Sequence, residues 1–172
     1  MNLRYPQYAA VFMTCLKVGL LLCLGTIGWA EDGYRLWLRY EPLPAAARQR
    51  YRPQVTSVIV QGNAATLNVL REELVTGCSG LLNSTIATAE AVGNAGAIVV
   101  GTPKSSPLIA NLKLKLAPLG AEGFVIRSLK INGRAATVIA SESEIGALYG
   151  AFHFLRLLQT GQPLTQQFPV KR

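Results

Sequence analysis

Two short runs constrain this chain more than any other feature. Val55–Val60 reads VTSVIV and Ala97–Val100 reads AIVV. Both are rich in β-branched residues and nearly continuous in apolar character. A strand with one wet face alternates polar and apolar side chains, so a run without alternation reads as a strand covered on both faces. Each run leads through a turn into a helical stripe. Gln61-Gly62-Asn63 breaks the first, and Asn63 is placed to cap the helix that follows. In that helix Leu67, Leu70, Leu74, Cys78 and Leu81 recur at spacings of three and four, which makes one buried stripe. The second run is preceded by a Gly93–Gly96 loop and ends at Gly101-Thr102-Pro103. Ser106 is then a natural N-cap with Pro107 at the first helical position. Leu108, Leu112 and Leu116 mark a short helix that Pro118 and Gly120 stop.

Phe124–Ile131 and Arg134–Ala140 are apolar-rich strands joined by Asn132-Gly133, the strongest short hairpin signal, because both central residues of a type I′ turn need positive φ. Ser141 and Glu144 have the spacing of a capping box, ahead of a final helix whose stripe is Ile145, Leu148, Phe152 and Leu155. Gly161 and Pro163 end it. Upstream, Tyr34–Tyr40 (YRLWLRY) alternates like a strand, and Pro42, Pro44 and Pro53 punctuate a connection holding a short Ala45–Arg50 helix. The order is strand, strand, helix, strand, helix, hairpin, helix. It predicts an α/β (α+β) unit, a two-layer sandwich in which a mixed sheet carries its helices mainly on one face. There is no internal repeat and no low-complexity tract.

The first 30 residues read as a secretory signal that precedes this unit. Arg4 and Lys17 supply a basic start without acids, Val18–Ile27 is an uncharged apolar run, and Gly28-Trp29-Ala30 has small residues where a signal peptidase needs them. Cleavage is expected between Ala30 and Glu31, which divides the chain into a signal (1–30) and one domain (31–172). The run is short for the roughly 20 residues that span a bilayer, so no stable membrane association is expected after cleavage. Leu20–Leu22 ahead of Cys23 argue against a lipid-modified cysteine. The expected address is periplasmic or extracellular. Removing 30 of 172 residues leaves 142, with Cys78 as the remaining cysteine, which cannot form an internal disulfide. Two bases and no acids leave, so the net charge falls from +8 to +6.

The candidate chemistry is sparse. With one His and three Cys in the chain, little material exists for a metal cluster, and neither a metal nor a cofactor is expected. Arg48, Arg50 and Arg52 form a basic trio that could bind an anion, although a solvated helix face explains such a cluster in an exported protein, and no nucleic-acid partner is expected. Gly101–Ser106 follows a strand and precedes a helix as a phosphate loop would, but it lacks the required spacing, and Pro103 removes a backbone donor. Glu142 and Glu144 favour the positive end of the final helix; two residues apart, they do not face each other. Glu72 and Glu73 read as the solvent side of their helix. Cys78 lies on a buried stripe and reads as a small core residue. His153, between Phe152 and Phe154, has no nucleophile in a recognisable setting and reads as a packing or contact residue. Asn83-Ser84-Thr85 fits a glycosylation acceptor, a pattern that acts only in a eukaryotic secretory pathway.

Longer segments carry a family signature. EDGYRLWLRY at Glu31–Tyr40, REEL at Arg71–Leu74 followed by GCSGLL at Gly77–Leu82, VGTP at Val100–Pro103 with SPLI at Ser106–Ile109, LGAEGF at Leu119–Phe124, and above all IGALYGAFHFLRLLQTG at Ile145–Gly161 resemble the α-glucuronidases of glycoside hydrolase family 67. The resemblance is collinear over nearly all of residues 31–172. It implies an N-terminal α/β domain from enzymes that remove 4-O-methylglucuronic acid side groups from xylan-derived oligosaccharides with inversion. In that family the catalytic carboxylates lie in a (β/α)8 barrel that follows, and this chain stops at Lys171-Arg172, about where the barrel should begin. No position here matches a catalytic residue, so none is carried over. The resemblance implies the barrel as partner, in cis if the gene continues and otherwise in trans, with the oligosaccharide reached only through it. Trp37, on the strand face with the arginines, and His153, Arg156 and Gln159, flanking the last helical stripe, are expected to include docking contacts. Two alternatives stay open: an autonomous carbohydrate-associated binding or partner-docking module, and a related domain from another exported glycosidase such as a β-N-acetylhexosaminidase.

Overall fold

The structure, a computed structural model, describes residues 40–164 and the backbone of 168–170. Helix α1 (Ala45–Tyr51) runs through a 3-10 turn (Arg52–Gln54) into β1 (Ser57–Val60), α2 (Ala65–Leu82), β2 (Ala87–Thr88), β3 (Ala97–Gly101) and α3 (Pro107–Asn111). A second 3-10 turn (Ala117–Leu119) precedes β4 (Phe124–Ile131), β5 (Arg134–Ser141), α4 (Glu144–Gln159) and β6 (Phe168–Val170). The sheet order is β2-β1-β3-β5-β4-β6. Strands β2, β1, β3 and β5 are parallel, while β4 runs antiparallel to both β5 and β6. This is the expected mixed sheet. The Tyr34–Tyr40 strand and the signal with its Ala30–Glu31 junction lie outside the described residues, apart from Tyr40, which is in no regular element.

The unalternating runs are explained by burial on both sides. Val58, Val60, Ile98, Val100, Ile126 and Ile139 share a core with the Leu67–Leu81 stripe of α2 and with α4. Their neighbours Ile59, Val99, Val125 and Val138 point the other way, as strand period demands, into a second core with Ile109, Leu116 and Leu119. The two long helices lie on the first face. The second face is closed by α3, the 3-10 turn and the chain between them.

Four details differ from the sequence reading. Asn63 does not cap α2: the N-cap is Ala64, which supplies no side-chain bond. Arg71, about two helical turns inside, instead donates to the carbonyls of Val60 (2.8 Å) and Gly62 (2.9 Å) and fastens the strand-to-helix turn. Ser141 does not cap α4 either. It is the last residue of β5, fully buried, and its hydroxyl donates to the Gly123 carbonyl at 2.6 Å. Ser143 is the cap, accepting from the Gly146 amide at 3.0 Å, so Glu144 falls in the first turn rather than at the reciprocal position of a capping box.

The stripe of α4 is rotated as well. Ala147, Ala151, Phe154, Leu155 and Leu158 face the core, whereas Leu148 and Phe152 are half-buried and Ile145 is 45% exposed. Small residues turn inward because α4 sits close on the sheet: a Cβ added at Gly150 would lie 2.6 Å from Ile139 Cγ2 and 3.2 Å from the Phe124 ring. Bulk therefore does not mark the buried face here. Finally, α3 ends at Asn111 instead of running to Leu116. Lys113 adopts a left-handed backbone (φ 48), and Leu116 reaches the second core from beyond the helix end.

The hairpin agrees with its signal. Asn132 (φ 51) and Gly133 (φ 77) form the turn, with Ile131 paired to Arg134. Ser106 caps α3 as expected, accepting from the Ile109 amide at 3.3 Å with Pro107 behind it.

Candidate functional site

The residues expected to make domain contacts are carried by α4. Its register on the sheet is set by the glycine and alanine face, which leaves the opposite edge of the helix for other work. His153 is half-buried, and its ring lies 5.5 Å from that of Phe124. Arg156 and Gln159 follow at intervals of three and are exposed, so the three side chains are neighbours along one helical edge. Trp37 lies outside the described residues.

The basic trio on and after α1 serves the fold. Arg48 donates to the Leu43 carbonyl at 2.8 Å. Arg50 donates to the Gly161 carbonyl at 2.9 Å, and the neighbouring Tyr51 hydroxyl donates to the Gln162 carbonyl at 2.7 Å. Arg52 donates to the carbonyls of Leu82 and Asn83, both at 3.1 Å. The C-terminal ends of α2 and α4 are thus held by cations from one short helix and the turn after it, where the helix dipole favours positive charge. No local pattern signals this pairing, because Arg50 and Tyr51 meet partners 111 positions away.

The Gly101–Ser106 loop is closed by its own groups. Ser105 and Thr102 exchange bonds, with the Ser105 amide donating to Thr102 Oγ1 at 3.0 Å and the Thr102 amide donating to Ser105 Oγ at 3.1 Å. Ser106 Oγ donates to Gln61 Oε1 at 2.6 Å, tying the turns after β1 and β3 together. Gln61 was the residue missed here; a polar side chain just past a buried strand was its only signal. The donors that a phosphate would need are occupied.

The acids are dispersed. Glu72 is exposed on α2, and Glu73 accepts from the Tyr40 hydroxyl at 3.1 Å. Glu41, Glu90 and Glu122 are exposed in connections, and Glu142 and Glu144 stand at the start of α4. Among the described residues no group of three or more His, Cys, Asp or Glu could hold a metal ion. Cys78 is fully buried, and desolvation pushes its thiol up to about 12, so it packs as an apolar side chain rather than reacting as a thiolate. Asn83 occupies the left-handed position that closes α2 (φ 46) and is exposed.

Against known proteins, residues 36–154 match the model described as "Glycosyl hydrolase family 67 N-terminus". Among curated proteins the chain is similar to the probable alpha-glucuronidase A of Aspergillus oryzae, 29% identical over 144 residues, which is 83% of this chain and 17% of that protein. It is also similar to the alpha-glucuronidase A of Emericella nidulans, 31% identical over 149 residues, again 83% of this chain and 17% of that protein. The probable alpha-glucuronidase A of Neosartorya fischeri is 30% identical over 145 residues, with 83% and 16% covered. The chain therefore spans about one sixth of the length of these relatives. Among solved structures, a GH115 4-O-methyl-alpha-glucuronidase with specificity for decorated arabinogalactans superposes on 60% of this chain and 13% of its own, with a TM-score of 0.48 and 24% identity. From the extent of the family match, the chain belongs to the N-terminal domains of glycosyl hydrolase family 67.

Proposed function

We propose that this chain is the non-catalytic N-terminal domain of an exported α-glucuronidase, one that removes 4-O-methylglucuronic acid side groups from xylan oligosaccharides. One observation carries the reading: 83% of the chain aligns with 17% of each of the first relatives, all named as alpha-glucuronidases. Inverting hydrolysis needs a carboxylic acid and a carboxylate roughly 6.5–9.5 Å apart on either side of the sugar. Here Glu73 is bonded to Tyr40, and the other described acids sit on exposed connections, a helix surface and a helix start. These placements favour a supporting role, with the hydrolytic pair supplied by a catalytic barrel as partner, in cis or in trans.

His153, Arg156 and Gln159 along one edge of α4, together with Trp37, are the contacts proposed for that barrel. The basic start, apolar run and small residues of 1–30 support export through a cleaved signal. The test is association. A separately produced family 67 barrel should co-elute with the full chain, and Arg156→Ala combined with Gln159→Ala should weaken that complex while leaving the melting temperature of the chain unchanged. Failure of the unaltered chain to associate with any such barrel, in a preparation with a cooperative thermal transition, would contradict the proposal.

A further inference from the structure

The two long helices differ on their outer sides. Apart from Val69, α2 turns Asn68, Glu72 and Thr76 to solvent, the polar back expected of a helix that packs on a sheet and meets water. Helix α4 does not follow this rule. Its core side is Ala147, Ala151, Phe154 and Leu158. On the side away from the sheet, Ile145, Leu148, Tyr149 and Phe152 recur at helical spacing and lead to Arg156. Ile145 and Arg156 are exposed, and the three residues between them are half-buried. A helix that is apolar on both sides is one that is covered on both sides. Aromatic residues and an arginine along an aliphatic stripe are also the composition found at the energetic centre of protein interfaces.

The path of the chain says what covers it. After α4 the carbonyls of Gly161 and Gln162 are held by Arg50 and Tyr51, and the Leu164 carbonyl accepts from Ser128 of β4. The chain then returns as β6, where Val170, the last described residue, pairs with Phe124. Phe124 is also the residue whose ring meets His153 and approaches Gly150 of α4. Whatever follows β6 therefore starts one strand spacing from the strand on which α4 rests. Relatives such as the alpha-glucuronidase A of Emericella nidulans hold this region in chains about six times as long, so a large folded mass follows there.

We infer that the outer stripe of α4, from Ile145 to Arg156, is the apolar centre of a lasting interface with the domain that follows β6, and that this partner presents an apolar strip bordered by a carboxylate for Arg156. The inference rests on the α-glucuronidase reading, in which the partner is the barrel, and deepens it. That reading asks only for contacts around His153, Arg156 and Gln159. The stripe extends the contact towards the start of α4, roughly 16 Å from Ile145 to Arg156, and makes apolar burial rather than charge its main source of affinity. Stable interfaces of this kind resemble a core divided between two partners.

The experiment is sedimentation velocity of the full chain mixed with a separately produced family 67 barrel. The unaltered chain should co-sediment with it, and the complex should persist in about 1 M salt, where exposed charges are screened. Ile145→Asp should weaken the complex by roughly thirtyfold or more. That substitution places an acid in the first turn of α4, where the helix dipole favours it, so the thermal midpoint of the chain alone should not fall. Ile145→Leu should bind as the unaltered chain does. Undiminished binding by Ile145→Asp, or a complex that salt dissolves, would overturn the inference and leave the α-glucuronidase reading in place. So would self-association of the unaltered chain that Ile145→Asp abolishes with barrel binding intact, which would assign the stripe to a second copy. Failure of the unaltered, cooperatively melting chain to bind any such barrel would strike the reading and the inference together.

Discussion

On one face of the sheet lie two helices of 18 and 16 residues; on the other lie a five-residue helix, one 3-10 turn and an irregular stretch of alternating leucine and lysine. Both layers bury strand side chains completely, including Ile98 and Val138 at 0% exposure. They do so with different rigidity. The first layer is a pair of long helices clasped at their ends by Arg50, Tyr51 and Arg52 and packed closely through glycines. A Cβ at Gly77 would lie 2.7 Å from Leu155 Cδ2, so α2 and α4 meet nearly backbone to side chain. The second layer has little regular hydrogen bonding of its own and can settle onto a vacancy. The comparison teaches that equal burial need not mean equal resistance to change.

The sharpest way to break this comparison is to remove the same side chain from each layer. Leu70 and Leu116 are both buried to 1% exposure or less. Leu70→Ala should cost about 4 kcal/mol, near the upper end for a cavity that cannot collapse, and Leu116→Ala about 2–3 kcal/mol. Urea unfolding of the two variants measures the difference; equal losses would remove the distinction between layers. Next, Gly150→Ala should destabilise by about 1–2 kcal/mol despite the gain in helix propensity, because the added methyl meets Ile139 and Phe124. A stabilising substitution there would show that α4 can lift from the sheet.

Cys78 tests the first core through pH. Its thiol holds the proton more tightly folded, at about 12 against an ordinary 9.0, so its contribution is fully present below pH 9 and is lost as pH rises towards 12. Between those limits stability should fall about 1.4 kcal/mol per pH unit more steeply than in Cys78→Ala. Parallel slopes in alkaline urea titrations of the two chains would contradict burial of the thiol. The smallest effects concern the helix starts. Ser143→Ala and Ser106→Ala should each cost about 1 kcal/mol, whereas Asn63→Ala should cost close to nothing. Thermal melts of the three variants would reverse the capping assignment if Asn63→Ala proved the most harmful.

The same contrast governs what the sequence made legible. The α2 stripe, the two unalternating strands and the Asn132-Gly133 hairpin could be read, because each follows from local period or a φ requirement within a few residues. The stripe of α4 was misjudged because its buried face is chosen by closeness to Phe124 and Ile139, which no helical period records. The end of α3 is not legible because Leu108, Leu112 and Leu116 keep helical spacing although the left-handed backbone at Lys113 breaks the helix before Leu116. The caps at Asn63 and Ser141 failed by one and two residues, a shift fixed by where β1 and β5 end in the sheet. Of the candidate contacts, the shared edge of His153, Arg156 and Gln159 was visible as spacing. The carbonyl partners of Arg50 and Arg52, and the bond from Ser106 to Gln61, join positions distant in sequence and left no local sign.

The central claim is that this chain supports catalysis without performing it. The most direct measurement is release of 4-O-methylglucuronic acid from a singly substituted xylan-derived oligosaccharide, followed by chromatography of the products. The purified full chain alone should release none above buffer, while a full-length family 67 enzyme in the same assay should convert the substrate. Release by the chain alone, abolished when one of its own glutamates is changed to glutamine, would contradict the account.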